Sequence, residues 1–519
     1  MRILATPMRI FSFAVLPLSL FLIGCGAGNQ SDALHVLASR TRNPLVTSVA
    51  MTSLCEGQAM VEFGPDTSYG RNTSWVPVGQ PPQATSILVA GMKASTTYHL
   101  RAHMQCPGGE VTSQDFTFTT GPLPAGHPFP TLTVSRPNPS LSSPESPGIE
   151  LVSAIVNNSS VIQSFFTDRD GNPIWYYDVG TNNVPFPMRL LPNGHVLIVV
   201  AFPKTTVLRE VNLAGDTVRE IDVTTLAQKV TAAGFDFSPV FIHHDVLPLD
   251  NGHLIVLIGF TKPFTDLTGY PGTTQVIGDG LIDLDENWDP VWTWNSFNYL
   301  DVNRHLSGLP DWTHANAIEY SPNDGNLLLS MRHQSWVLKI DYNHGAGSGN
   351  VLWRLGYQGD FALAQGTDPS LWFSFQHFPK LISQNGPQTT LAIWDNGDLR
   401  PLDTNGTTCQ YPGPPVCHSR ATLFQLDEST KVASLQWADP LDMFSLWGGS
   451  INQLPNGNVE FDANGLSPSP APPIQAEVQE VTQTSPPQII WEMDFAPLGM
   501  NPYRAYRVPS LYPGVTWAY

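Results

Sequence analysis

The sequence predicts an all-β protein in which a six-bladed β-propeller follows a small β-sandwich. Two observations carry this prediction: a hairpin-turn motif recurs along the chain, and a strand–turn–strand unit appears six times between about residues 160 and 495. The chain is also rich in Gly (42) and Pro (47), as many turns between short strands require. Radial repetition protects the edges of such hairpins, which favours a propeller.

The recurring turn is an Asn-Gly or Asp-Gly step before an apolar run, as in LPNGHVLIVVAF, PLDNGHLIVLIGF and LPNGNVEFDANG. These steps favour hairpin turns. The second unit often ends near Trp, as in SFFTDRDGNPIWYYD, GLIDLDENWDPVWTW and EVQEVTQTSPPQIIWEMD. Six four-stranded blades would use about 60 residues each, close to the upper end of known blade repeats. The period is irregular, so five or seven blades remain open.

Charge and composition exclude some classes of function. Hydrophobic residues make up 41% of the chain, charged residues only 13%, and the net charge is -19. A nucleic-acid-binding protein needs a basic surface, so no nucleic-acid partner is predicted. An anionic substrate must therefore be held by a local cationic pocket rather than by the overall field.

The N-terminus has the features of an export signal. Two arginines precede an apolar run that is too short for a stable membrane span. The run ends in Leu-Ile-Gly-Cys25, which resembles the bacterial lipoprotein signal. We predict a signal peptide at 1–24, a lipid anchor at Cys25 and a tether at 25–43. This interpretation implies an exported bacterial lipoprotein at the periplasmic face of the membrane, with the outer membrane expected. The alternative is a plain cleaved signal with an incidental Cys.

Four further cysteines are predicted to form disulfides, because an even number in an exported chain is typical of bridges. We pair Cys55 with Cys106, which flank one early domain, and Cys409 with Cys417, which flank one loop. Four cysteines allow three connectivities. None of the four has the Cys/His spacing of a zinc site.

Residues 44–120 alternate apolar and polar side chains in short segments, which predicts a small β-sandwich. The segment MKASTTYHLR around Tyr98 resembles the tyrosine-corner segment of fibronectin type III domains. A Pro/Ser-rich stretch at 121–147 is predicted to be a linker, and 148–519 the propeller.

The candidate site consists of His244, His314, Arg332 and His377, each near one edge of a repeated unit. Repetition brings equivalent edges together around one axis. Several imidazoles and one guanidinium suit a compact oxyanion, and one imidazole can serve as nucleophile. No metal and no cofactor are predicted, since the histidines would spread around a channel and no carboxylate partners each one by spacing. The competing interpretations are satisfied core histidines and a structural salt bridge.

Strand alternation refines these assignments. His243 and His244 should point to opposite faces, with His244 inward. His314 and Asn316 should share a face. His333 should turn away from the face of Arg332. The aromatic surroundings of His377 disfavour its charged form and keep it nucleophilic.

Other catalytic motifs are missing from the sequence. No G-x-S-x-G elbow, P-loop or dinucleotide fingerprint occurs, and WGGSINQ around Ser450 is typical of a glycine turn. A propeller that only binds an anionic ligand or protein partner remains an alternative.

A set of motifs resembles the bacterial arylsulfate sulfotransferases over roughly residues 150 to 519. They are His-x-Asn after Asp-Trp, Arg332 placed 18 residues after His314, the later Gln-His377, and the tail NPYRAYRVPSLYP. The resemblance implies a periplasmic six-bladed propeller that transfers a sulfuryl group from an aryl sulfate to an acceptor phenol, without the nucleotide sulfate donor.

By the same resemblance, His377 is the nucleophile that becomes transiently sulfated in a ping-pong mechanism. Arg332, Asn316, His314 and His244 hold the sulfate. On chemical grounds, His244 can protonate the departing phenolate and later deprotonate the acceptor phenol. An aryl sulfate hydrolase, in which water replaces the acceptor, remains an alternative. Aromatic side chains are expected to sandwich aryl rings: Trp312, Phe373, Phe375 and Trp447. This chain departs from the family in that its loop cysteines follow the nucleophile, and in its Phe378. A homodimer is left open.

Overall fold

The computed structural model describes residues 34–138, 144–156, 161–410, 413–464, 476–496 and 500–518. The predicted signal peptide at 1–24, the anchor at Cys25 and the start of the tether lie outside the described residues. The described chain is nearly all β. Its helices are α1 (Val223–Ala232) and short 3-10 helices at Ser296–Asn298, Arg332–Gln334, Asn343–Gly345, Pro369–Leu371 and Pro415–Cys417. None of the described helices has the length and apolar character needed to cross a membrane.

The N-terminal strands form two sheets around one core. The strands are β1 (Val36–Arg40), β2 (Thr47–Thr52), β3 (Gly57–Gly64), β4 (Arg71–Asn72), β5 (Val76–Val78), β6 (Ala84–Val89), β7 (Thr97–Cys106), β8 (Gly109–Thr112) and β9 (Phe116–Thr119). One sheet has the order β1-β2-β6, and the other is built on β4-β3-β7-β8 with β5 and β9 at its edges. Alternate residues of β2, β3 and β7 are buried between the sheets, as the alternating sequence predicts.

Two local features hold this sandwich. The predicted disulfide between Cys55 and Cys106 is present, with the two Cα atoms 5.7 Å apart. The hydroxyl of Tyr98 accepts a hydrogen bond of 3.0 Å from the backbone N–H of Lys93, five residues upstream. A hydroxyl bonded back to the preceding backbone is the geometry of a tyrosine corner.

The remaining strands form six more sheets in the described part of the chain. In their first half the strands are β10 (Thr131–Ser135), β11 (Ile149–Val156), β12 (Ser164–Thr167), β13 (Pro173–Tyr177), β14 (Val184–Pro185), β15 (Arg189–Leu190), β16 (Val196–Phe202), β17 (Thr205–Val211), β18 (Thr217–Asp222), β19 (Phe241–Pro248), β20 (Leu254–Leu267), β21 (Tyr270–Leu284) and β22 (Pro290–Asn295). β10 falls within the stretch predicted to be a linker, and it pairs with the distant strand β35 (Ile489–Ala496).

In the second half the strands are β23 (Ala315–Ser321), β24 (Asn326–Met331), β25 (Trp336–Ile340), β26 (Val351–Leu355), β27 (Ala362–Leu363), β28 (His377–Asn385), β29 (Gln388–Asp395), β30 (Arg420–Asp427), β31 (Val432–Pro440), β32 (Ser450–Gln453), β33 (Val459–Asn464), β34 (Ala476–Val481), β35 and β36 (Met500–Val508). Pairing is antiparallel between consecutive strands. Strands that are not consecutive also pair: β27 with β31 in parallel, and β14 with β16, β10 with β35 and β36 with β11 antiparallel. The pairing of β36 with β11 joins the end of the large domain to its beginning.

The six sheets contact one another in chain order and close on themselves. β16 contacts β19, β19 contacts β23, β23 contacts β28, β28 contacts β32, and β32 contacts β36. β36 shares a sheet with β11, and β11 contacts β14 in the next sheet. The contacts therefore return to their starting point.

Tryptophans at the ends of the repeated units bridge neighbouring sheets. Each donates its indole N–H to a group of the following sheet or of the loops beside it: Trp175 to Leu213, Trp294 to Gly349, Trp353 to Glu428 and Trp491 to Arg169. The last of these bonds links the sixth sheet to the first. The Trp seen in the sequence repeat is thus a bridge between repeats as well as a core residue.

The repeated hairpin turns need glycine. Gly194, Gly252 and Gly457 have φ values of +81°, +86° and +87°. Each donates its N–H to the carbonyl of the residue three positions earlier, at 2.9 to 3.0 Å. Glycine adopts this left-handed conformation without the steric cost that a Cβ imposes, which explains why the turn motif recurs with Gly.

The C-terminal segment packs against the sandwich. The hydroxyl of Tyr512 accepts from the N–H of Ala90 and donates to the carbonyl of Leu88. The Trp517 ring lies 5.8 Å from that of Phe63. A Cβ added at Gly91 would meet the Trp517 ring at 2.3 Å, so Gly is required there. The sandwich core and the core of the first two large sheets form one apolar cluster.

Candidate active site

A cavity of 680 Å³ contains all four residues that the sequence singles out for catalysis. Its lining comprises Ile155, His244, Ser307, His314, Arg332, Phe375, His377, Gly397, Asp398, Leu399, Cys409, Gln410, Cys417, Phe444, Leu446, Trp447 and Tyr503. The histidines and arginine come from β19, the start of β23, the end of β24 and the start of β28. Three consecutive sheets of the repeat thus contribute their ends to one space, and Tyr503 reaches it from the sheet that β36 shares with β11.

The strands that carry these residues are irregular where they reach the cavity. Register shifts fall beside His244 in β19, beside His314 in β23 and beside His377 in β28. His244 has φ +55° and His314 has φ +47°, and Phe375 and Phe378 flank His377 with φ +52° and +42°. Bulges re-aim side chains, and left-handed non-glycine backbone is a form of strain found at functional sites. The regular alternation of side chains along a strand therefore does not predict which way these residues point.

His377 is fixed by a hydrogen bond to Asn396. The distance from His377 Nδ1 to Asn396 Oδ1 is 2.7 Å. The amide nitrogen of Asn396 donates to the carbonyls of Ser445 (2.8 Å) and Gly448 (3.1 Å), so Oδ1 is the atom that faces the imidazole. An amide oxygen only accepts hydrogen bonds, which places the proton of neutral His377 on Nδ1. Nε2 then carries the lone pair.

The environment also keeps His377 neutral. The residue is 2% exposed. Burial, and after it the nearby Arg332 guanidinium, holds the pKa of His377 well below its ordinary value. Among the described residues, the Nε2 lone pair receives a single long hydrogen bond, 3.2 Å from the N–H of Gly448. A neutral imidazole with its lone pair at a cavity is equipped to be a nucleophile.

Arg332 presents a buried guanidinium whose counter-charge is incomplete. It lies in the 3-10 helix after β24, with 11% of its side chain exposed. Nη2 donates to the carbonyl of Leu446 at 2.8 Å, and the nearest carboxylate oxygen, of Asp398, is 3.8 Å away. Burial lowers the pKa of Arg332, and Asp398 opposes the shift. An arginine so placed favours an anion in the cavity.

His244 lines the cavity, and His243 lies behind it. The bulge brings their Nδ1 atoms to 2.5 Å instead of placing the rings on opposite faces, as alternation predicts. Nε2 of His243 is 3.1 Å from Asp279 Oδ1. A proton on His243 Nε2 leaves its Nδ1 as acceptor for the Nδ1–H of His244. Burial, and then His243 and the other neighbouring histidines, lowers the pKa of His244 well below its usual value.

His314 is oriented by Asp311 and His333. Its Nδ1 lies 2.6 Å from Asp311 Oδ2, and its ring stacks on that of His333 with centroids 4.6 Å apart. The His333 Nε2 is 2.8 Å from Arg332 Nη1. The prediction that His333 points away from Arg332 is wrong, because residues 332–334 form a 3-10 helix and not a strand.

The donor atoms of Asp311, His314 and His333 lie within 4.8 Å of one another, a set that could hold a metal ion. A carboxylate therefore does accompany two of the histidines, which sequence spacing did not indicate. The Arg332 guanidinium stands against one ring of this set. A fixed positive charge at that distance disfavours a metal cation and suits an anion.

Asn316 is the one predicted sulfate-binding residue that the structure places outside the cavity lining. It is fully buried, and its Nδ2 donates to the carbonyl of Gln376 at 2.8 Å. The register shift between Ala315 and Ala317 takes Asn316 off the face of His314. Asn316 thus holds the residue before His377 in place.

The aromatic lining differs in part from the sequence prediction. Phe375 and Trp447 line the cavity as expected. Trp312 is buried and stacks on Phe297, and Phe373 is buried against Phe424. Both belong to the core. The prediction that they face the cavity assumed the regular alternation of a strand, and the positive φ values of the cavity residues interrupt that alternation.

Several cavity residues were missed by sequence reasoning. Tyr503 is 4% exposed, its hydroxyl has no hydrogen-bond partner among the described residues, and burial raises its pKa. Its ring lies 5.7 Å from that of His377. The only available signal was its place in the tail motif. Asn396 and Asp398 follow the apolar strand β29 in WDNGD, where a polar run after a strand was the available signal.

The second predicted disulfide, between Cys409 and Cys417, is present and forms part of the cavity wall. Both half-cystines are 4% exposed. The bridge closes a loop whose carbonyls accept hydrogen bonds from Arg400, and Arg400 pairs with Asp395 at the end of β29 at 2.7 Å. The loop is thereby tied to the strand that leads into Asn396 and Asp398.

The fold and the cavity together define an all-β protein whose cavity is lined by three histidines and one arginine. The chain belongs to the arylsulfotransferase (ASST) family, whose model matches residues 140–504. No curated protein matches the sequence.

Solved structures show only distant likeness. Drosophila plexin A, in complex with semaphorin 1b, is 10% identical with a TM-score of 0.26, over 65% of this chain and 54% of that chain. This chain thus spans about half the length of the plexin chain. A mutant of the Synechocystis apocarotenoid oxygenase is 11% identical with a TM-score of 0.30, over 88% of this chain and 95% of that one. Such TM-scores establish no shared function.

Proposed function

We propose that this protein transfers a sulfuryl group from an aryl sulfate ester to an acceptor phenol through a covalent intermediate on His377. The observation that carries the proposal is the geometry of His377, whose Nδ1 is bonded to Asn396 and whose Nε2 lone pair is at the cavity near Arg332. Membership of the arylsulfotransferase family supports the substrate class. No nucleotide sulfate donor is required in this scheme.

In the first half-reaction Nε2 of His377 attacks the sulfur of the donor. The bond from sulfur to the aryl oxygen breaks, the electron pair goes to that oxygen, and a nitrogen–sulfur bond forms. Arg332 donates hydrogen bonds to the sulfuryl oxygens, where charge develops, and the doubly protonated His314 ring, whose Nδ1–H donates to Asp311, does the same through Nε2–H. The imidazole keeps its Nδ1 proton on Asn396, so the sulfated ring remains a good leaving group for the second step.

In the second half-reaction an acceptor phenol replaces the first product. His244 takes the phenol proton, and the phenol oxygen attacks the sulfuryl group as the bond to His377 breaks. The negative charge of a bound donor favours protonation of His244, which then gives this proton to the departing phenolate. The acceptor phenol returns a proton to His244 in the second half-reaction, so protons balance over a cycle. Phe375, Trp447 and Tyr503 are placed to pack against aryl rings. Because donor and acceptor use one site in turn, the mechanism is ping-pong.

The architecture that fits this activity is a six-bladed propeller preceded by a fibronectin type III-like sandwich. Six sheets that contact one another in a closed series, with β36 completing the sheet of β11, support the propeller. The hydrogen bond of Tyr98 to the backbone of Lys93 supports the resemblance of the sandwich to fibronectin type III domains. Anchoring by acylated Cys25 at the periplasmic face of the outer membrane belongs to the same proposal and rests on the sequence.

The decisive assay is release of a chromogenic phenol from its sulfate ester, with and without an added acceptor phenol. We expect release to depend on the acceptor or to be strongly accelerated by it, and the sulfated acceptor to appear in equal amount. Equal release in water alone would identify a hydrolase instead. No release with any aryl sulfate would favour a protein that only binds anions.

A further inference from the structure

Three carboxylates meet on one face of the sixth sheet, far along the chain from the cavity residues of β19 to β28. Glu477 lies on β34, and Glu492 and Asp494 lie on the neighbouring strand β35, where Asp494 is directly opposite Glu477. One oxygen from each of the three lies within 4.8 Å of the others. Residues two apart on a strand share a face, so this grouping follows from the register.

No cation compensates this group within the described residues. Glu477 is 7% exposed, and no ion pair or hydrogen bond to its carboxylate is found there. Asp439, at the end of β31 in the adjoining sheet, adds a fourth negative charge nearby. Burial, and then Glu492, Asp494 and Asp439, raises the pKa of Glu477 to about 7. Unpaired buried carboxylates are costly unless a cation joins them.

The neighbouring segments do not supply that cation. Residues 465–475 precede β34 and residues 497–499 follow β35, and neither stretch contains Lys or Arg. The same sheet face carries a further oxygen donor, the amide of Gln479, which is 8% exposed and directly opposite Glu492. No hydrogen bond to that amide is found among the described residues. A buried carboxylate and a buried amide, both without partners, thus lie at one acidic group.

We propose that Glu477, Glu492 and Asp494, with Gln479 and Asp439 beside them, form a binding site for a calcium ion. All of the donors are oxygen atoms, which hard divalent cations prefer. Three oxygens that lie within 4.8 Å of one another can all reach one Ca²⁺ ion at roughly 2.3–2.6 Å. A Zn²⁺ site would favour His or Cys donors, and this group has neither.

The ion would join β34 and β35 to β31 of the preceding sheet, so its role is structural. The chemistry proposed for the cavity does not depend on this ion. Its expected effect is on thermal unfolding, because a ligand that binds only the folded state stabilises that state. The proposal is therefore independent of the sulfotransferase assignment, and its test uses no activity.

The test compares unfolding temperatures of the chelator-treated full-length protein at pH 8, with and without CaCl2. At a calcium concentration about 100 times the Kd, we expect Tm to rise by about 3 °C. Calorimetric titration with CaCl2 should give one site per chain. NaCl at matched ionic strength should not reproduce the rise. Wild-type protein whose Tm is insensitive to CaCl2, or equally sensitive to NaCl, would overturn the proposal.

The variant Glu477→Gln separates the site from a general salt effect. Gln keeps the shape and removes a buried, uncompensated charge, so the calcium-free variant should be at least as stable as the calcium-free wild type. Its Tm should no longer respond to CaCl2. Glu286→Gln, at an exposed turn between β21 and β22, is the matched control and should respond as the wild type does. A calcium response retained in Glu477→Gln would show that calcium binds elsewhere and would overturn the assignment.

Discussion

The cavity and the acidic group on β34 and β35 have charged side chains of opposite sign. In both, a buried charged side chain lacks a full counter-charge among the described residues. The cavity gathers histidines around Arg332, whose nearest carboxylate is 3.8 Å away. The acidic group gathers carboxylates around Glu477, and no cation faces them among the described residues. A third region shows a compensated case. Buried Asp245 pairs with Arg189 at 2.8 Å and with Arg504 at 3.0 Å.

The three regions differ in how far the charge of each buried side chain is compensated by neighbouring charges of opposite sign. Burial would raise the pKa of Asp245, but its two arginines outweigh burial and lower it to about 2. The Asp245 carboxylate is thus compensated by two guanidinium groups, and it lies in β19 beside the bulge at His244. Where compensation is incomplete, we propose that a ligand of the opposite sign completes it: an anionic sulfuryl group in the cavity, and a cation on the sheet face. Each prediction below changes one charge or one proton in this comparison.

The largest effect is expected at His377. His377→Ala or His377→Gln should lower turnover by at least about 10³-fold, since it removes the nucleophile of a covalent mechanism. The measurement is acceptor-dependent phenol release, together with mass spectrometry of enzyme quenched with donor alone. Wild-type enzyme should carry a sulfuryl adduct on the peptide that contains His377, and the variants should carry none.

His127→Gln is a suitable control, because His127 pairs with Asp178 well away from the cavity lining. This variant should transfer sulfate at the wild-type rate and form the adduct. A folded His377→Ala enzyme that transfers sulfate at nearly the wild-type rate would refute the nucleophile and the ping-pong scheme with it.

Arg332→Ala should be almost as severe, with kcat lowered by about 10²- to 10³-fold. The loss corresponds to about 3–4 kcal/mol, as for a lost oxyanion donor. Arg332→Lys keeps the charge but not the geometry of the bonds to Leu446 and His333, so we expect it to recover only part of the rate. Steady-state kinetics with the chromogenic donor would measure both. Full activity in Arg332→Ala would mean that the anion is held elsewhere.

Asn396→Asp tests the proton on His377. A carboxylate at 2.7 Å from Nδ1 stabilises the imidazolium, raises the pKa of His377 and protonates the nucleophilic Nε2 at neutral pH. We expect about 100-fold lower activity at pH 7, with recovery as pH rises through the new pKa. The pH profile of kcat/KM measures this, and recovery at high pH distinguishes a shifted pKa from misfolding. A loss that is equal at every pH would contradict the assigned tautomer.

Sequence patterns predicted the fold well and the local geometry of the site less well. The turns at Gly194, Gly252 and Gly457 and both disulfides follow from local chemistry, and the structure contains them. The pairing of β10 with β35 joins residues more than 350 positions apart in the sequence. The Pro/Ser-rich composition of this stretch predicted a linker, and no local sequence pattern indicated a strand there.

In the site, repetition identified His244, His314, Arg332 and His377, and the structure brings these four to one cavity. Alternation then misplaced Trp312, Phe373 and Asn316. Bulges and positive φ values interrupt the two-residue period of each strand just where it reaches the cavity. Periodicity identifies which strand ends meet, but it cannot orient side chains where the backbone departs from a regular strand.

His333 is the position where the structure most changes an expectation. Alternation predicts a mild effect of His333→Ala. The ring instead stacks on His314 and contacts Arg332, so we now expect activity to fall by about tenfold. Burial lowers the pKa of His333 to about 4, so the ring is neutral and the loss should be similar from pH 6 to 8. Steady-state kinetics of His333→Ala from pH 6 to 8 would measure this loss. Wild-type rates in the variant would support the mild effect that strand alternation predicts.

The smallest effect is expected at Asp398, the carboxylate within the cavity. Burial raises its pKa to about 7, although Arg332 opposes the shift. Below that pH Asp398 is neutral and leaves Arg332 free for the donor. Above it the carboxylate competes with the sulfate for the same guanidinium. We expect kcat/KM for the donor to fall about fivefold as pH rises through about 7, since a nearby unit charge is screened but not removed.

Asp398→Asn should flatten this alkaline decline, because the amide has no proton to lose and no negative charge to set against the substrate. At pH 6 the variant and the wild type should have similar kcat/KM values, which makes pH 6 the internal control for folding. His377 and His244 have pKa values well below this range, and burial raises that of Tyr503, so these groups do not produce the same limb. An unchanged decline in Asp398→Asn would show that Asp398 does not compete with the donor for Arg332. The incomplete compensation of Arg332 would then not explain donor binding, and the comparison with the acidic group on β34 and β35 would fail.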